Sequence, residues 1–274
     1  LAQRATDLIV ARIEGLRDER PWHGASRATL EPLLREPPPE QGRDALAVLE
    51  RAVRDVLPYA ARVDHPRFFA FVPSAPTWPG VVADYLATGF NIFQGTWLGS
   101  GGPSQLELVV IDWFRQWIGY PQSGGGLFTS GGSAAILDAL VAAREHHGAP
   151  ERPAVFMSDQ SHSALERAAR IIGVRPDGII KIASDELFRI QISGLERAVN
   201  EARSRGYTPI AVCANAGATN TGAIDPLPEM AAFCAREKIW LHVDAAYGGF
   251  AMLSERGKAL LEGMQLADSI SLDA

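Results

Sequence analysis

The chain has 274 residues, more than the ~100–200 of one ordinary domain. Its 47% hydrophobic and 21% charged side chains exclude a disordered or fibrous polypeptide. A net charge of -6 leaves no basic footprint for nucleic acid and no Lys/Arg cluster for a membrane surface, so a small ligand is the expected partner.

Residues 1–65 read as an N-terminal helical arm. Leu8, Val10, Ile13 and Leu16, then Leu46, Leu49, Val53 and Leu57, fall at helical spacing, and the proline-rich "EPLLREPPPEQ" separates the two helices. Pro37, Pro38 and Pro39 predict a linker or rigid turn, and Pro58 closes the second helix. From "HPRFFAFVPSAPTWPG" the text turns aromatic and proline-rich, which predicts an irregular segment packed on a surface or lining a pocket. Phe68, Phe69, Phe71 and Trp78 fit either core packing or that lining.

Beyond Gly126 two patterns alternate. "GLFTS" predicts a short strand and "SAAILDALVAAREHH" a helix, with apolar residues at 136, 137, 140 and 141. "AVFMS", "GIIKIA", "PIAVCANA", "IWLHVDA" and "DSISLDA" predict further strands, with helices "SHSALERAARIIG", "SGLERAVNEARSRG" and "PLPEMAAFCAREK" between them. This order predicts an α/β fold, a mostly parallel sheet covered on both faces, with ligands at the carboxyl ends of the strands. Cys213 and Cys234 fall inside such elements, which argues against a disulfide framework and for a reducing, cytoplasmic compartment. No apolar run approaches the ~18 residues of a transmembrane helix, and the N-terminus lacks a signal-peptide core.

The strand ends carry the chemistry. After "GLFTS", Gly131 and Gly132 allow close approach to a ligand, Ser133 can cap, and the following helix offers free N–H groups, a seat for phosphate. The turn is neither G-x-G-x-x-G nor a P-loop, which disfavours a dinucleotide or nucleoside triphosphate. His162 opens a helix after "AVFMS", Thr219 and Asp225 lie in a polar loop after "PIAVCANA", and Asp244 follows "IWLHV", with Ala245 and Ala246 leaving a flat surface. An anion seat, an imidazole, a hydroxyl loop and a carboxylate together suit pyridoxal 5'-phosphate (PLP). A carboxylate beside its ring nitrogen stabilises the pyridinium as an electron sink. Taken singly, His162 also fits a helix cap, and Asp244 a buried cap or ion pair. A metal site on His146, His147 and His162 is disfavoured, because the first two are adjacent on a helix and cannot converge on one ion.

The segments "HPRFFAFVPS", "QLELVVIDW", "TSGGSAAILDALVAAR", "SDQSHSALERA", "GATNTGAIDPL", "IWLHVDAAYGG" and "ADSISLDA" resemble the group II PLP-dependent decarboxylases of fold type I, the family that includes aromatic-L-amino-acid decarboxylases. The resemblance implies a helical arm over 1–65 that forms part of a homodimer interface, then a partial PLP-binding large domain over 66–274. It implies that His162 stacks on the pyridine ring and Asp244 pairs with the ring nitrogen. Ala246 packs on the ring face, Gly132 and Ser133 hold the phosphate, Thr219 and Asp225 belong to the cofactor pocket, and Asp273 stands where an amide often lies near the phosphate. Phe71 and Pro73, with Phe93 and Trp97, correspond to the side-chain pocket. Bulky apolar groups there, with no Arg or Lys, favour an aromatic or apolar L-amino acid over glutamate. Val72 and Gly95 replace aromatic side chains and predict a wider or reshaped pocket. The implied reaction is decarboxylation to an amine and carbon dioxide.

The family's cofactor-holding lysine follows a histidine in text resembling "DAHKW", and Lys181, Lys238 and Lys258 lack that context. The expectation is the N-terminal part of a longer enzyme, inactive if it ended at Ala274. The mobile-loop proton donor is likewise expected outside this chain, and a different residue there diverts the chemistry to oxidative aldehyde formation. Two other readings are an aminotransferase or cysteine desulfurase of the same fold type, and a non-catalytic protein that kept the fold.

Overall fold

The computed structural model describes residues 1–72 and 74–273, so Pro73 and Ala274 lie outside the described residues. The chain divides into two compact units, Leu1–Asn91 and Ile92–Ala274.

The first unit holds helices α1 (Ala2–Gly15), α2 (Arg27–Leu34), α3 (Ala45–Asp55) and α4 (Trp78–Gly89). The two helices read from apolar spacing are α1 and α3. The proline-rich separator is itself helical at its start: α2 begins where the Ser26 hydroxyl accepts from the Thr29 amide, and it runs through Pro32. Pro37, Pro38 and Pro39 follow without regular structure, as proline geometry requires. Helix α4 starts with Thr77 as cap and Pro79 in the first turn, a start signal present in "APTWPG". Arg12 of α1 makes a two-pronged ion pair with Asp64 at 2.6 and 2.7 Å, which holds the Asp64 carboxyl below its usual range.

The second unit opens with α5 (Trp97–Ile118), capped by Thr96 and broken at Ser100. Three glycines and Pro103 surround the break, and a proline leaves a carbonyl of the preceding turn without its N–H. The alternating part follows as α6 (Gly132–His146), β1 (Pro153–Ser158), α7 (Ser163–Ile171), β2 (Ile179–Ile182), α8 (Ile192–Ser204), β3 (Thr208–Asn215), α9 (Leu227–Glu237), β4 (Trp240–Ala245), α10 (Glu255–Leu260) and β5 (Ser269–Leu272). The strands form one parallel sheet in the order β2-β1-β3-β4-β5.

One expected strand is not there. Residues 126–130, "GLFTS", have no regular structure and join no ladder among the described residues. The Phe128 amide donates instead to the Glu107 carboxylate of α5 at 2.7 Å, and the Thr129 hydroxyl turns onto the Gly131 carbonyl at 3.1 Å. Side-chain partners have replaced a neighbouring strand.

Burial on both faces explains the near-continuous apolar strands. Ile136, Leu140 and Ala143 of α6 and Leu165, Ala168 and Ala169 of α7 pack on Val155, Met157, Ala211 and Cys213 on one face. On the other, Leu195 and Val199 of α8 and Met230 and Phe233 of α9 pack on Phe156, Val212, Leu241 and Val243. Cys213 and Cys234 are buried free thiols. Burial pushes Cys213 up, and Cys234 to about 12, so neither is a nucleophile at neutral pH. No helix among the described residues is long and apolar enough to cross a membrane.

The strand order carries the functional consequence. The chain leaves β1 towards β2, then returns past β1 to β3 and continues to β4, so the direction of winding reverses between β1 and β3. Loops after these two strands lead to helices on opposite faces, and the crevice between them is where open α/β sheets bind ligands. Phe156, fully buried on the interior strand β1, tests how much the packing contributes. Phe156→Ala is expected to lower the unfolding free energy by about 3–5 kcal/mol, read from the urea midpoint of the full-length protein.

Candidate active site at the carboxyl edge of the sheet

Parallel register ties four strand ends together. Met157 pairs with Cys213, Cys213 with His242, Asn215 with Asp244, and Asp244 with Ser271. The expected residues on the segments after β1, β3, β4 and β5 therefore share one edge of the sheet.

Asp244 sits on the last turn of the pleat before β4 ends and is 9% exposed. Its Oδ1 accepts from the Ser271 hydroxyl at 3.1 Å and from the Ala246 amide at 3.3 Å. No hydrogen bond among the described residues reaches Oδ2. The carboxylate thus has one oxygen held and the other with capacity to accept a further hydrogen bond.

The start of α6 approaches the same place. A Cβ built on Gly132 would stand 3.3 Å from Cβ of Ala246, so glycine permits this close contact. Gly131 adopts φ 138°, and α6 has no side-chain cap, unlike α2, α3, α4 and α5. Its first-turn amides, with the exposed Ser133, keep the capacity for an anion that a cap would have taken.

His162 is the N-cap of α7. Its Nδ1 accepts from the Ala164 amide at 3.3 Å, so the neutral ring carries its proton on Nε2, and the ring is exposed. The capping and functional readings of His162 are thus compatible: the cap fixes the ring and its tautomer. Thr219 is exposed in a turn closed by the Gly222 amide on the Ala218 carbonyl at 2.7 Å. That turn packs on the segment after β4, where a Cβ on Gly217 would meet Cα of Gly248 at 3.0 Å. Asp273 is exposed one residue beyond Leu272, the partner of Ala245.

Asp225 behaves differently from its neighbours. It is 3% exposed, and both oxygens are taken: Oδ1 by the Ile190 amide at 2.7 Å, Oδ2 by the Asn215 amide at 2.7 Å and Asn215 Nδ2 at 3.0 Å. Burial raises its carboxyl above the usual range, and these three donors pull the other way. It staples the loop carrying Thr219 to the end of β3 and to the segment before α8.

The expected pocket-wall residues fall in both units. Phe71 is 90% exposed in the first unit and Pro73 lies outside the described residues, whereas Phe93 and Trp97 are exposed in the second. The Phe93 ring occupies the room that a side chain at Gly95 would need. Beneath the edge runs a polar row that sequence reading passed over. Trp240 Nε1 donates to Ser269 Oγ at 2.8 Å, and Ser269 Oγ lies 3.0 Å from His242 Nδ1. Period-two alternation of polar residues in "WLHVD" and "SISL" was its only sequence signal.

A sequence model of the pyridoxal-dependent decarboxylase conserved domain matches residues 28–274. The chain belongs to this family. It is 42% identical to the aromatic-L-amino-acid decarboxylase of Bacillus atrophaeus over 275 residues, covering 100% of this chain and 57% of that one. Among solved structures, Oryza sativa TDC with PLP and tryptamine matches with TM-score 0.93 at 29% identity, over 99% of this chain and 59% of that chain. Rhodiola rosea 4-hydroxyphenylacetaldehyde synthase matches with TM-score 0.93 at 27% identity, over 99% and 61%. The chain spans about half the length of the curated relatives it matches. The decarboxylase family's cofactor fits the edge at two points, the uncapped glycine turn of α6 and the unengaged oxygen of Asp244. None of the three lysines of this chain stands with them: Lys181 pairs with Glu166 at 2.9 Å, Lys258 with Glu255 at 3.0 Å, and Lys238 leads into β4 at the opposite edge.

Two predictions follow from the buried groups. Asp225→Asn turns an amide N–H₂ towards existing donors, and is expected to cost about 1–3 kcal/mol of stability, read from urea unfolding. Burial pushes His242 down to about 4 from 6.5, against the pull of the Asp244 carboxylate. The unfolded chain then binds the extra proton between these values, so this contribution to stability is present above pH 6.5 and falls as the pH drops towards 4. About 2 kcal/mol is expected to go by pH 5. Melting at pH 7 and pH 5 checks this, since His242→Asn should narrow the difference.

Proposed function

We propose that the full-length protein decarboxylates an aromatic L-amino acid to its amine and carbon dioxide, using PLP at the carboxyl edge of the sheet. The observation that carries this is Asp244: a carboxylate 9% exposed, pinned through Oδ1, beside the turn where Gly132 approaches Ala246. PLP supplies an electron sink for the bond that breaks at the substrate's α-carboxylate.

The residues of this chain have separate tasks in this reading. Asp244 keeps a proton on the ring nitrogen through the charge-assisted bond its free oxygen can form. The α6 amides of Gly132 and Ser133 take the phosphate, with the helix dipole favouring the negative charge. His162, its orientation fixed by capping α7, covers the ring, and Ala246 leaves its face flat. Thr219 and Asp273 border the same edge. Asp225 acts at one remove by fixing the Thr219 loop.

Aromatic preference is supported by the relatives, which include aromatic-L-amino-acid and tyrosine decarboxylases. It is also supported by the apolar Phe71, Phe93 and Trp97, with no Arg or Lys in residues 71–74 or 93–97 to receive a second carboxylate. A homodimer formed partly by the helical arm of residues 1–65, ahead of a cofactor domain over 66–274, is supported by large apolar side chains left exposed there, Trp22 at 65% and Leu57 at 58%. A cytoplasmic setting agrees with two buried free thiols.

The experiment supplies full-length protein and PLP with phenylalanine, tyrosine, tryptophan and glutamate, and measures carbon dioxide and amine. Amine from an aromatic substrate is expected, with Asp244→Asn lowering kcat by at least about 100-fold. An aldehyde with ammonia, at the expense of dioxygen, would replace simple decarboxylation by the oxidative reaction. No carbon dioxide from any substrate would end the proposal.

A further inference from the structure

We propose that Ser271 is a positioning residue for the cofactor, acting through Asp244; this rests on the reading of Asp244 as the partner of the PLP ring nitrogen. Ser271 lies on β5 directly beside Asp244 in the parallel register and is 1% exposed. Its hydroxyl donates to Asp244 Oδ1 at 3.1 Å.

Three features make this bond more than incidental. A carboxylate turns freely about its last side-chain bond, where the torsional wells are broad. Asp244 leaves its strand at an edge, and the only other donor to it among the described hydrogen bonds is the Ala246 amide, at 3.3 Å to the same oxygen. Both donors therefore converge on Oδ1 and reserve Oδ2. Moreover, a serine so deeply buried in "SISL" would lose a hydrogen bond to water without an acceptor, and Asp244 is the acceptor it has. The neighbouring Ser269 is engaged elsewhere, with Trp240 and His242, and cannot substitute.

A donor to one carboxylate oxygen fixes the plane of the group. The consequence is a preorganised acceptor, so that binding the pyridinium does not have to freeze the Asp244 side chain. Ser271 then contributes to cofactor affinity without touching the cofactor.

The test is PLP titration of the full-length apoprotein, read from the visible absorption of the bound cofactor, in wild type, Ser271→Ala, Ser271→Thr, Asp244→Asn and the Asp244→Asn/Ser271→Ala double variant. Ser271→Ala is expected to weaken PLP about tenfold, and Ser271→Thr, which keeps the hydroxyl, to stay within about threefold of wild type. In the Asp244→Asn background the Ser271→Ala change is expected to add less than about twofold, because the carboxylate it serves is gone. Melting of each apoprotein separates a folding defect from a binding defect. Wild-type affinity in Ser271→Ala, or the same tenfold loss with and without Asp244, overturns the proposal while leaving the decarboxylase reading standing. Wild-type protein that shows no bound-PLP absorption overturns that reading, and this proposal with it.

Discussion

The hydrogen bond from Ser271 to Asp244 joins β5 to β4 at the height where the sheet ends, and it is possible only because the two strands run parallel in one register. The same register sets Asn215 beside Asp244 and carries the loops after β1 and β3 to the same edge. Each polar group of the site thus takes its height from the backbone ladder. The ladder in turn holds because both faces of the sheet are packed with apolar side chains. A slip of one residue would exchange the faces, burying Val243 where Asp244 stands and turning the carboxylate into the core under α8 and α9.

Such a sheet can tolerate polar groups only where each finds a partner. Asp225 meets three N–H donors, Ser269 lies between Trp240 and His242, and Asp244 has Ser271 and an amide. His242 is the partial exception, because its Nε2 is buried without a partner, and burial keeps the ring neutral. Beside that network, Asp244 Oδ2 has no hydrogen bond among the described residues, and α6 starts at Gly131 without a side-chain cap. Helices α1, α8 and α9 also start without a side-chain cap, so what sets the start of α6 apart is the close approach of Gly132 to Ala246.

Much of this could be read in the sequence, for definite reasons. The strands "AVFMS", "PIAVCANA" and "IWLHVDA" are short apolar runs between helical periods, and only a parallel sheet buried on both sides gives that text. Asp244 could be singled out because a carboxylate directly after such a run needs a reason. What was not legible depended on contacts far apart in the chain. "GLFTS" has strand composition, but its amide is taken by Glu107, 21 residues earlier. Helix α5 was hidden by its own glycines, Pro103 and the break at Ser100. Ser271 looks like any alternating polar residue until β5 is set beside β4, 27 residues away. Asp225 was grouped with the cofactor pocket on resemblance, and only the three donors around it reveal its work as a staple.

Burial also sorts the site into two kinds of position. Asp244, Asp225, Asn215 and Ser271 are locked by the sheet, and a change at any of them leaves a buried donor or acceptor unmatched. His162, Ser133, Thr219, Asp273, Phe93 and Trp97 are exposed, in helix first turns and caps, a turn and loops rather than inside the sheet. Residues of the second kind can change without unfolding the sheet. A fold arranged this way can hold one cofactor constant while its substrate and its reaction vary. Decarboxylases and an aldehyde synthase with TM-scores of 0.93 to this chain are what that arrangement permits. The buried positions are thus held by the sheet itself, whereas the exposed ones are free of that constraint.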